Sequence, residues 1–169
     1  RELAFEEGRE NFCSVALTYI LEPKTLGEQK SKAAQLGIKR LLETGIQPDL
    51  IACRAENEVT HSALEKVSMF SNVPLPRVFS MHERASIYTI PEALRAQRLD
   101  REVLTILDRH HKVDPVHEDS SRAQWNNYAR GISATRRHAV TIGILGKYTA
   151  LRDAYASIDK AIEHAATHL

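Results

Sequence analysis

The sequence has few cysteines, a single tryptophan and no long apolar run. Its two cysteines, Cys13 and Cys53, both fall in predicted buried strands, so we expect free packing thiols in a reducing compartment. This pattern argues against a disulfide-stapled scaffold and against a cysteine-bound metal. No apolar stretch approaches the roughly 18 residues that a membrane-spanning helix needs. We therefore expect a cytoplasmic protein that does not insert into a membrane.

An excess of charge of one sign is also missing. The 23 lysine and arginine residues are balanced by 22 aspartate and glutamate residues, which leaves a formal net charge of +1. Such a chain has no global field that would draw it to nucleic acid or to an anionic membrane surface. The polar residues 1–10 do not resemble a signal peptide. We therefore expect no nucleic-acid partner and no export signal.

What is present is an alternation of apolar and amphipathic segments. Strands are predicted at 12–21, 50–54 and 78–81, and helices are predicted between them at 31–44 and 61–71. This order is typical of an α/β fold with a mostly parallel sheet and helices on its faces. The first strand is apolar at most positions, which predicts that it is covered on both faces.

Two loops lie where such a sheet binds ligands, beyond the carboxyl ends of its strands. They are residues 22–30 and 82–89. In the first, Lys30 and Lys32 stand at the start of a helix, where the helix dipole disfavours cations. A bound anion would reverse that sign, because both lysines and the free N–H groups of the first turn would converge on it. The alternative is a solvated helix start whose lysines extend into water, and local spacing alone favours it.

The character of the sequence changes after residue 109. Helices are predicted at 91–97 and 101–109, and residues 110–121 then form an exposed connector with little apolar content. A buried strand at 140–145 and a helix capped by Asp153 follow, but one strand and one helix are too few for a domain. The expected organisation is the end of one domain at 1–109, an interdomain linker at 110–137 and the first βα unit of a second α/β domain at 138–169.

Several segments carry a resemblance to a known family. The segment Gly-Glu-Gln-Lys-Ser-Lys-Ala-Ala-Gln at 27–35 resembles the Gly-Glu-Gln-Lys-Thr-Lys-Pro-Thr-Gln signature of cytidine triphosphate (CTP) synthases. The match extends over four blocks in the family's order and spacing, and the later ones lie at 45–54, 86–91 and 146–155. Residues 9–13 and 68–70 resemble the eukaryotic branch of the family.

The resemblance implies a ligase of pyrimidine biosynthesis that aminates UTP to CTP. In the family, a P-loop/Rossmann-like amidoligase domain uses ATP and magnesium to phosphorylate the uracil 4-oxygen. A class I glutamine amidotransferase domain supplies the ammonia. The resemblance thus implies UTP, CTP, ATP and glutamine as ligands, ATP and Mg²⁺ as cofactors, and a cytoplasmic homotetramer. It also implies that residues 1–109 belong to the amidoligase domain and that residues 138–169 begin the glutaminase domain.

The resemblance also names binding residues. Those that match the family's UTP- and CTP-binding positions are Lys30, Ser31, Lys32, Gln35 and Lys66. Two ammonium groups suit a triphosphate, since point charges tolerate loose geometry, and a hydroxyl and an amide add donors and an acceptor. Ala33 and Ala34 depart from the family's Pro-Thr, which removes a fixed φ angle and a hydroxyl.

A second set of matching residues is implied at the ATP adenine and ribose. These residues are His82, Glu83 and Arg84, and the family usually has Asp-Val at the last two positions. Arg54 and Tyr88 are expected to be structural, as a strand-end ion pair and a packed aromatic. No phosphate-loop motif is present, and the family's magnesium carboxylates and glutaminase triad are expected outside residues 1–169. We therefore leave the catalytic residues unassigned, predict no metal ligand here, and expect the isolated segment to be inactive.

Two other functions remain open from the sequence. A non-catalytic paralogue or fragment that binds UTP or CTP and regulates assembly would account for the departures at 33–34 and 83–84. A flavodoxin-like module with a generic anion loop at 27–32 would not explain the ordered blocks. His164 and His168 have the i, i+4 spacing of zinc ligands, but no third ligand is placed near them. We therefore expect no metal there.

Overall fold

The computed structural model describes residues 2–23, 27–134 and 139–168. The chain divides into two compact units, Arg1–Val113 and Asp114–Leu169. In the first unit, three parallel strands lie in the order β1-β2-β3. The strands are β1 (Val15–Tyr19), β2 (Leu50–Ala55) and β3 (Val78–His82). The predicted α/β fold with a parallel sheet is confirmed.

Helices connect the strands and flank the sheet. The helices of this unit are α1 (Glu2–Glu6), α2 (Lys32–Glu43), α3 (His61–Ser71), α4 (Ile90–Ala96) and α5 (Leu99–Ile106). Short 3-10 turns lie at Arg9–Asn11, Leu75–Arg77, Ile87–Thr89 and His110–Lys112. The two crossover helices, α2 and α3, agree with the ranges predicted from the sequence because their apolar residues recur at helical spacing.

The core lies between the sheet and the two crossover helices. Members of this buried cluster from β2, α2 and α3 are Ile51, Cys53, Ala55, Ala34, Ile38, Ala63 and Val67. Because side chains alternate along a strand, the cluster uses one face of β2. Leu50 and Ala52 are buried on the other face. The central strand is therefore covered on both sides.

The cysteines are free, but only one lies in a strand. Cys53 is buried in the core, and burial raises the pKa of its thiol to about 12, so it serves as an inert packing group. Cys13 is half-buried and precedes β1. The first strand was predicted to begin at residue 12, but it begins at Val15. Burial, with the nearby Asp49 carboxylate, raises the pKa of the Cys13 thiol.

The first strand departs from the prediction that both its faces are covered. Val15, Leu17 and Tyr19 are exposed on one face, and Leu17 is 68% exposed. Ala16, on the opposite face, packs against the core cluster. Helix α2 covers that inner face, whereas the outer face carries no covering element among the residues that the structure describes. A mostly apolar run was therefore not sufficient to predict burial on both sides.

The second unit contains a long helix where a connector was predicted. Helix α6 spans Pro115–Ser133. The Oδ1 atom of Asp114 accepts hydrogen bonds from the N–H groups of Val116 (3.0 Å) and His117 (3.4 Å). An aspartate cap followed by proline in the first turn is a strong helix start. It outweighs the low apolar content of this segment, so residues 115–121, which were predicted to be irregular, are helical.

The predicted strand at 140–145 is also absent. Residues 139–146 form neither helix nor strand, and Val140 is 84% exposed. A strand needs a hydrogen-bonding neighbour, and the described part of this unit supplies only helices. Asp153 lies inside a 3-10 turn (Arg152–Tyr155), and helix α7 begins after it (Ala156–His168), so Asp153 does not cap the helix as predicted. Nowhere in the described ranges does a helix have both the length and the apolar character needed to cross a membrane.

Candidate functional site

The Lys30 loop is fixed at the carboxyl end of β1 by main-chain pairing. The N–H of Lys30 donates to the carbonyl oxygen of Leu21 at 2.7 Å, and the N–H of Leu21 donates back to Lys30 at 3.3 Å. Gly27 begins the described part of the loop at a φ of +58°, which glycine adopts without a steric penalty. Residues 24–26 lie outside the described chain. The backbone of Lys30 is therefore placed at the end of the sheet where α/β proteins bind ligands.

A second attachment joins this loop to the segment that follows β2. The side-chain amide of Gln29 donates to the carbonyl of Glu58 at 2.9 Å and accepts from the N–H of Thr60 at 2.8 Å. Thr60 in turn is the N-cap of α3, and its hydroxyl accepts from Ala63. One glutamine thus ties the loop to the start of α3. Gln29 lies inside the matching segment, but no local sequence pattern indicated this role.

One of the predicted lysines pairs with a carboxylate of its own loop. The Nζ atom of Lys30 lies 2.7 Å from Oε2 of Glu28. The hydrogen bond and charge of Lys30 lower the pKa of Glu28, and the charge of Lys66 lowers it further. Lys66, on α3, contributes only the smallest of these effects. Lys30 thus has an anionic partner within its own loop.

The remaining residues of this set lie at the start of α2. Ser31 is buried, and its hydroxyl accepts a hydrogen bond from the side-chain amide of Gln35 at 2.9 Å. The Ser31 side chain makes no capping bond to the first turn of the helix, so those N–H groups keep their capacity to bind an anion. Lys32 is exposed and forms no ion pair with any residue in the described ranges.

A second group of residues surrounds a cavity at the carboxyl ends of β2 and β3. The cavity has a volume of about 250 Å³ and is lined by Arg54, Ser80, Met81, His82, Arg84, Ile90, Ala93 and Leu94. Its walls combine apolar side chains from β3 and α4 with polar groups from strand ends. This mixture is typical of a small-ligand site, although the volume suits only one compact part of a nucleotide.

The predicted ATP residues do not all face this cavity. His82 and Arg84 line it, whereas Glu83 lies outside the lining and pairs with Arg54 at 3.5 Å. Arg54 also donates to the carbonyl of Met81 at 2.9 Å. The expected strand-end ion pair of Arg54 is thus confirmed, but its place in the cavity wall was missed. Tyr88 is buried, as predicted for a packed aromatic.

A magnesium site is not formed by the residues that the structure describes. Within residues 2–23, 27–134 and 139–168, no three His, Cys, Asp or Glu side chains converge in a way that would hold a metal ion. In the second unit, the ring of His164 lies against Tyr128 with centroids 6.1 Å apart. The side chain of His168 lies outside the described residues. The cavity wall, by contrast, combines apolar side chains with polar groups from the strand ends, which is the composition of a site for a small organic ligand.

Comparison with known proteins supports the resemblance seen in the sequence. A family model described as CTP synthase N-terminus matches residues 1–109. CTP synthase 2 of Bos taurus is 34% identical over 168 residues, which is 98% of this chain and 28% of that relative. The chain thus spans little more than a quarter of the length of this curated relative. Because the family model matches more than half of the chain, and its range includes both groups of residues described above, the chain belongs to the CTP synthase family.

Proposed function

We propose that this chain is part of an enzyme that aminates UTP to CTP with ATP, using glutamine or ammonia as the nitrogen donor. The observation that carries this proposal is the family match over residues 1–109. Such an enzyme is a ligase of pyrimidine nucleotide biosynthesis. We also propose, by the same family relationship, that it is a cytoplasmic homotetramer.

The first group of residues is the proposed site for the triphosphate of UTP or of CTP. Lys30 pairs with the Glu28 carboxylate at 2.7 Å, so it can bind a phosphate group in place of that carboxylate, and Lys66 adds a weaker effect of positive charge. The uncapped first turn of α2 adds N–H donors and the positive end of a helix dipole. Ser31, Lys32 and Gln35 belong to the same helix start. A triphosphate would therefore meet both point charges and oriented donors.

The second group is the proposed site for ATP. His82 and Arg84 offer hydrogen-bond donors at the edge of an apolar cavity, which suits the base or sugar of a nucleotide. Glu83 holds Arg54 by their ion pair and thereby positions a guanidinium in the cavity wall. When bound, ATP with Mg²⁺ would supply the phosphoryl group that activates the uracil oxygen. The chain's own residues bind and orient the nucleotide, and no magnesium ligands are proposed among them.

The proposed domain organisation follows the family. Residues 1–109 are assigned to the amidoligase domain, residues 110–137 to a linker and residues 138–169 to the start of the glutaminase domain. The last segment carries the Gly146-Lys147-Tyr148 and Asp153-Ala154-Tyr155 matches. On this assignment the isolated chain binds nucleotides but does not complete the reaction.

Calorimetric titration with UTP and CTP tests the triphosphate site. Lys30→Ala should weaken binding of both nucleotides by about tenfold, in line with the loss of a charge-assisted hydrogen bond. Lys39→Ala is the control, because Lys39 is an exposed lysine later on the same helix. Equal loss in the two variants, or equally tight binding of unrelated anions, would contradict the proposal and favour a generic anion loop.

The departures at Ala33 and Ala34 favour a second candidate. A non-catalytic paralogue or fragment could retain nucleotide binding and regulate assembly. An amination assay on the full-length protein separates the two, since only an active synthase converts UTP to CTP.

A further inference from the structure

Ser80 is a buried residue of β3 with two kinds of polar contact. Its main chain pairs with the side chain of Gln97, which follows α4. The N–H of Ser80 donates to Oε1 of Gln97 at 2.8 Å, and Nε2 of Gln97 donates to the carbonyl of Ser80 at 3.0 Å. The amide thus binds Ser80 as a neighbouring strand would. This pairing leaves Ser80 with little freedom to move.

The hydroxyl of Ser80 has two partners in the described residues. It accepts a hydrogen bond from the N–H of Val59 at 3.0 Å, in a buried setting. It also lies 3.1 Å from Nδ1 of His82. A backbone N–H can only donate, so Val59 occupies one lone pair of the oxygen. The single hydroxyl proton of Ser80 must therefore be matched with an acceptor elsewhere, and Nδ1 of His82 is the acceptor within reach.

This count of protons distinguishes the two forms of the neutral imidazole ring. If Nδ1 carries the proton, the Ser80 oxygen accepts from both Val59 and His82, and a buried hydroxyl proton has no acceptor. Buried polar groups without partners are rare because they have lost water and gained nothing in return. If Nδ1 is the acceptor, both the N–H of Val59 and the hydroxyl of Ser80 are satisfied.

We propose that Ser80 is a positioning residue that fixes His82 in the form with its proton on Nε2. The ring nitrogen on the far side from Ser80 is then a hydrogen-bond donor at the wall of the cavity. No partner for it is found among the residues that the structure describes. The group it recognises is an acceptor on the ligand, such as a ring nitrogen or a sugar oxygen of a nucleotide. Only the identity of that ligand rests on the proposed function, whereas the position of the proton does not.

Long-range ¹H–¹⁵N correlation spectra of the ligand-free chain, labelled with ¹⁵N-histidine, test the proton position at about pH 8. The spectrum of His82→Gln identifies the His82 signals by their loss. The expected result is a protonated Nε2 and an unprotonated, hydrogen-bonded Nδ1. A proton on Nδ1 would overturn the proposal. In Ser80→Ala, the Nδ1 signal should move to the position of a nitrogen without a hydrogen bond; an unchanged signal would also overturn the proposal.

A pair of variants at His82 tests the donor, and it remains informative if Ser80→Ala fails to fold. His82→Gln keeps an N–H donor near the position of Nε2. His82→Asn has a shorter side chain, which places its amide only near the position of Nδ1. We expect ATP affinity, measured by calorimetry, to fall about tenfold in His82→Asn and less than threefold in His82→Gln. Equal losses would overturn the donor role. If the wild-type chain has its proton on Nε2 but does not bind ATP, the proposed ATP site is wrong and the role of Ser80 stands.

Discussion

The carboxylate of Glu28 lies 2.7 Å from the ammonium of Lys30, so the chain itself supplies an anion to the lysine that we assign to a triphosphate. The charge of Lys66, on α3, has only a small further effect on this carboxylate. A nucleotide that binds there has to compete with this side chain.

Replacing Glu28 by glutamine should therefore strengthen the binding of UTP and CTP. Removing the competing charge frees Lys30, and exposed ion pairs of this kind change affinity by about two- to fivefold. Calorimetric titration at neutral pH measures the effect. Glu43→Gln is the control, because Glu43 forms a comparable exposed ion pair with Arg40 at 3.3 Å, and both residues lie on helix α2. Weaker nucleotide binding in Glu28→Gln would show that the carboxylate assists the ligand.

The pH dependence of this effect follows from the pKa of Glu28. The pKa is lowered by the hydrogen bond from Lys30 and its charge, so the carboxylate stays charged at neutral pH. The ion pair persists above the pKa of the unfolded chain and is lost as the pH falls through the lowered folded-state pKa. The difference in nucleotide affinity between Glu28→Gln and the wild-type chain should therefore be constant near neutral pH and vanish only in acid.

Gln29→Glu should weaken nucleotide binding by loosening the Lys30 loop. The new carboxylate can still accept from the N–H of Thr60, but it cannot donate to the carbonyl of Glu58. Loss of a hydrogen bond of this type costs about 1 kcal/mol. Amide hydrogen exchange of Lys30, whose N–H is bonded to Leu21, should accelerate, and UTP affinity should fall. Gln47→Glu, at a glutamine that also bonds main-chain carbonyls but lies before β2, should leave both measurements unchanged.

Truncation of two large aliphatic residues tests the one-sided burial of β1. Ile51→Ala removes a fully buried side chain of β2 from the hydrophobic core and should lower the free energy of unfolding by about 2–5 kcal/mol. Leu17→Ala, on the exposed face of β1, should change it by less than about 0.5 kcal/mol. Urea denaturation measures both. A large loss in Leu17→Ala would mean that this face is covered in solution.

The parts of the fold that could be predicted from the sequence are those with a clear local period. The apolar spacing in α2 and α3 predicted both helices, and the alternation of strands and helices predicted a parallel sheet. The ordered motif blocks predicted the family. Each of these signals is carried by neighbouring residues and needs no information about distant contacts.

The parts that could not be predicted depend on partners that the local sequence does not name. The exposure of Leu17 depends on which elements cover β1, and the apolar run is the same in either case. The segment 140–145 has strand-like composition, yet a strand forms only beside another strand. The roles of Gln29 and Ser80 likewise come from contacts with segments distant in sequence, such as Glu58–Thr60 for Gln29 and Gln97 for Ser80, and a polar residue in isolation gives no sign of the groups that it will bond.

The amide of Gln97 has a further consequence for the sheet as a whole. It occupies the outward main-chain groups at the centre of β3, so a new strand cannot hydrogen-bond there without displacing it. Strand β1 is at the opposite edge of the sheet. Among the described residues, no side-chain amide occupies its outward main-chain groups in this way. An additional strand at the β3 edge would therefore have to displace the Gln97 amide, whereas a strand beside β1 would not.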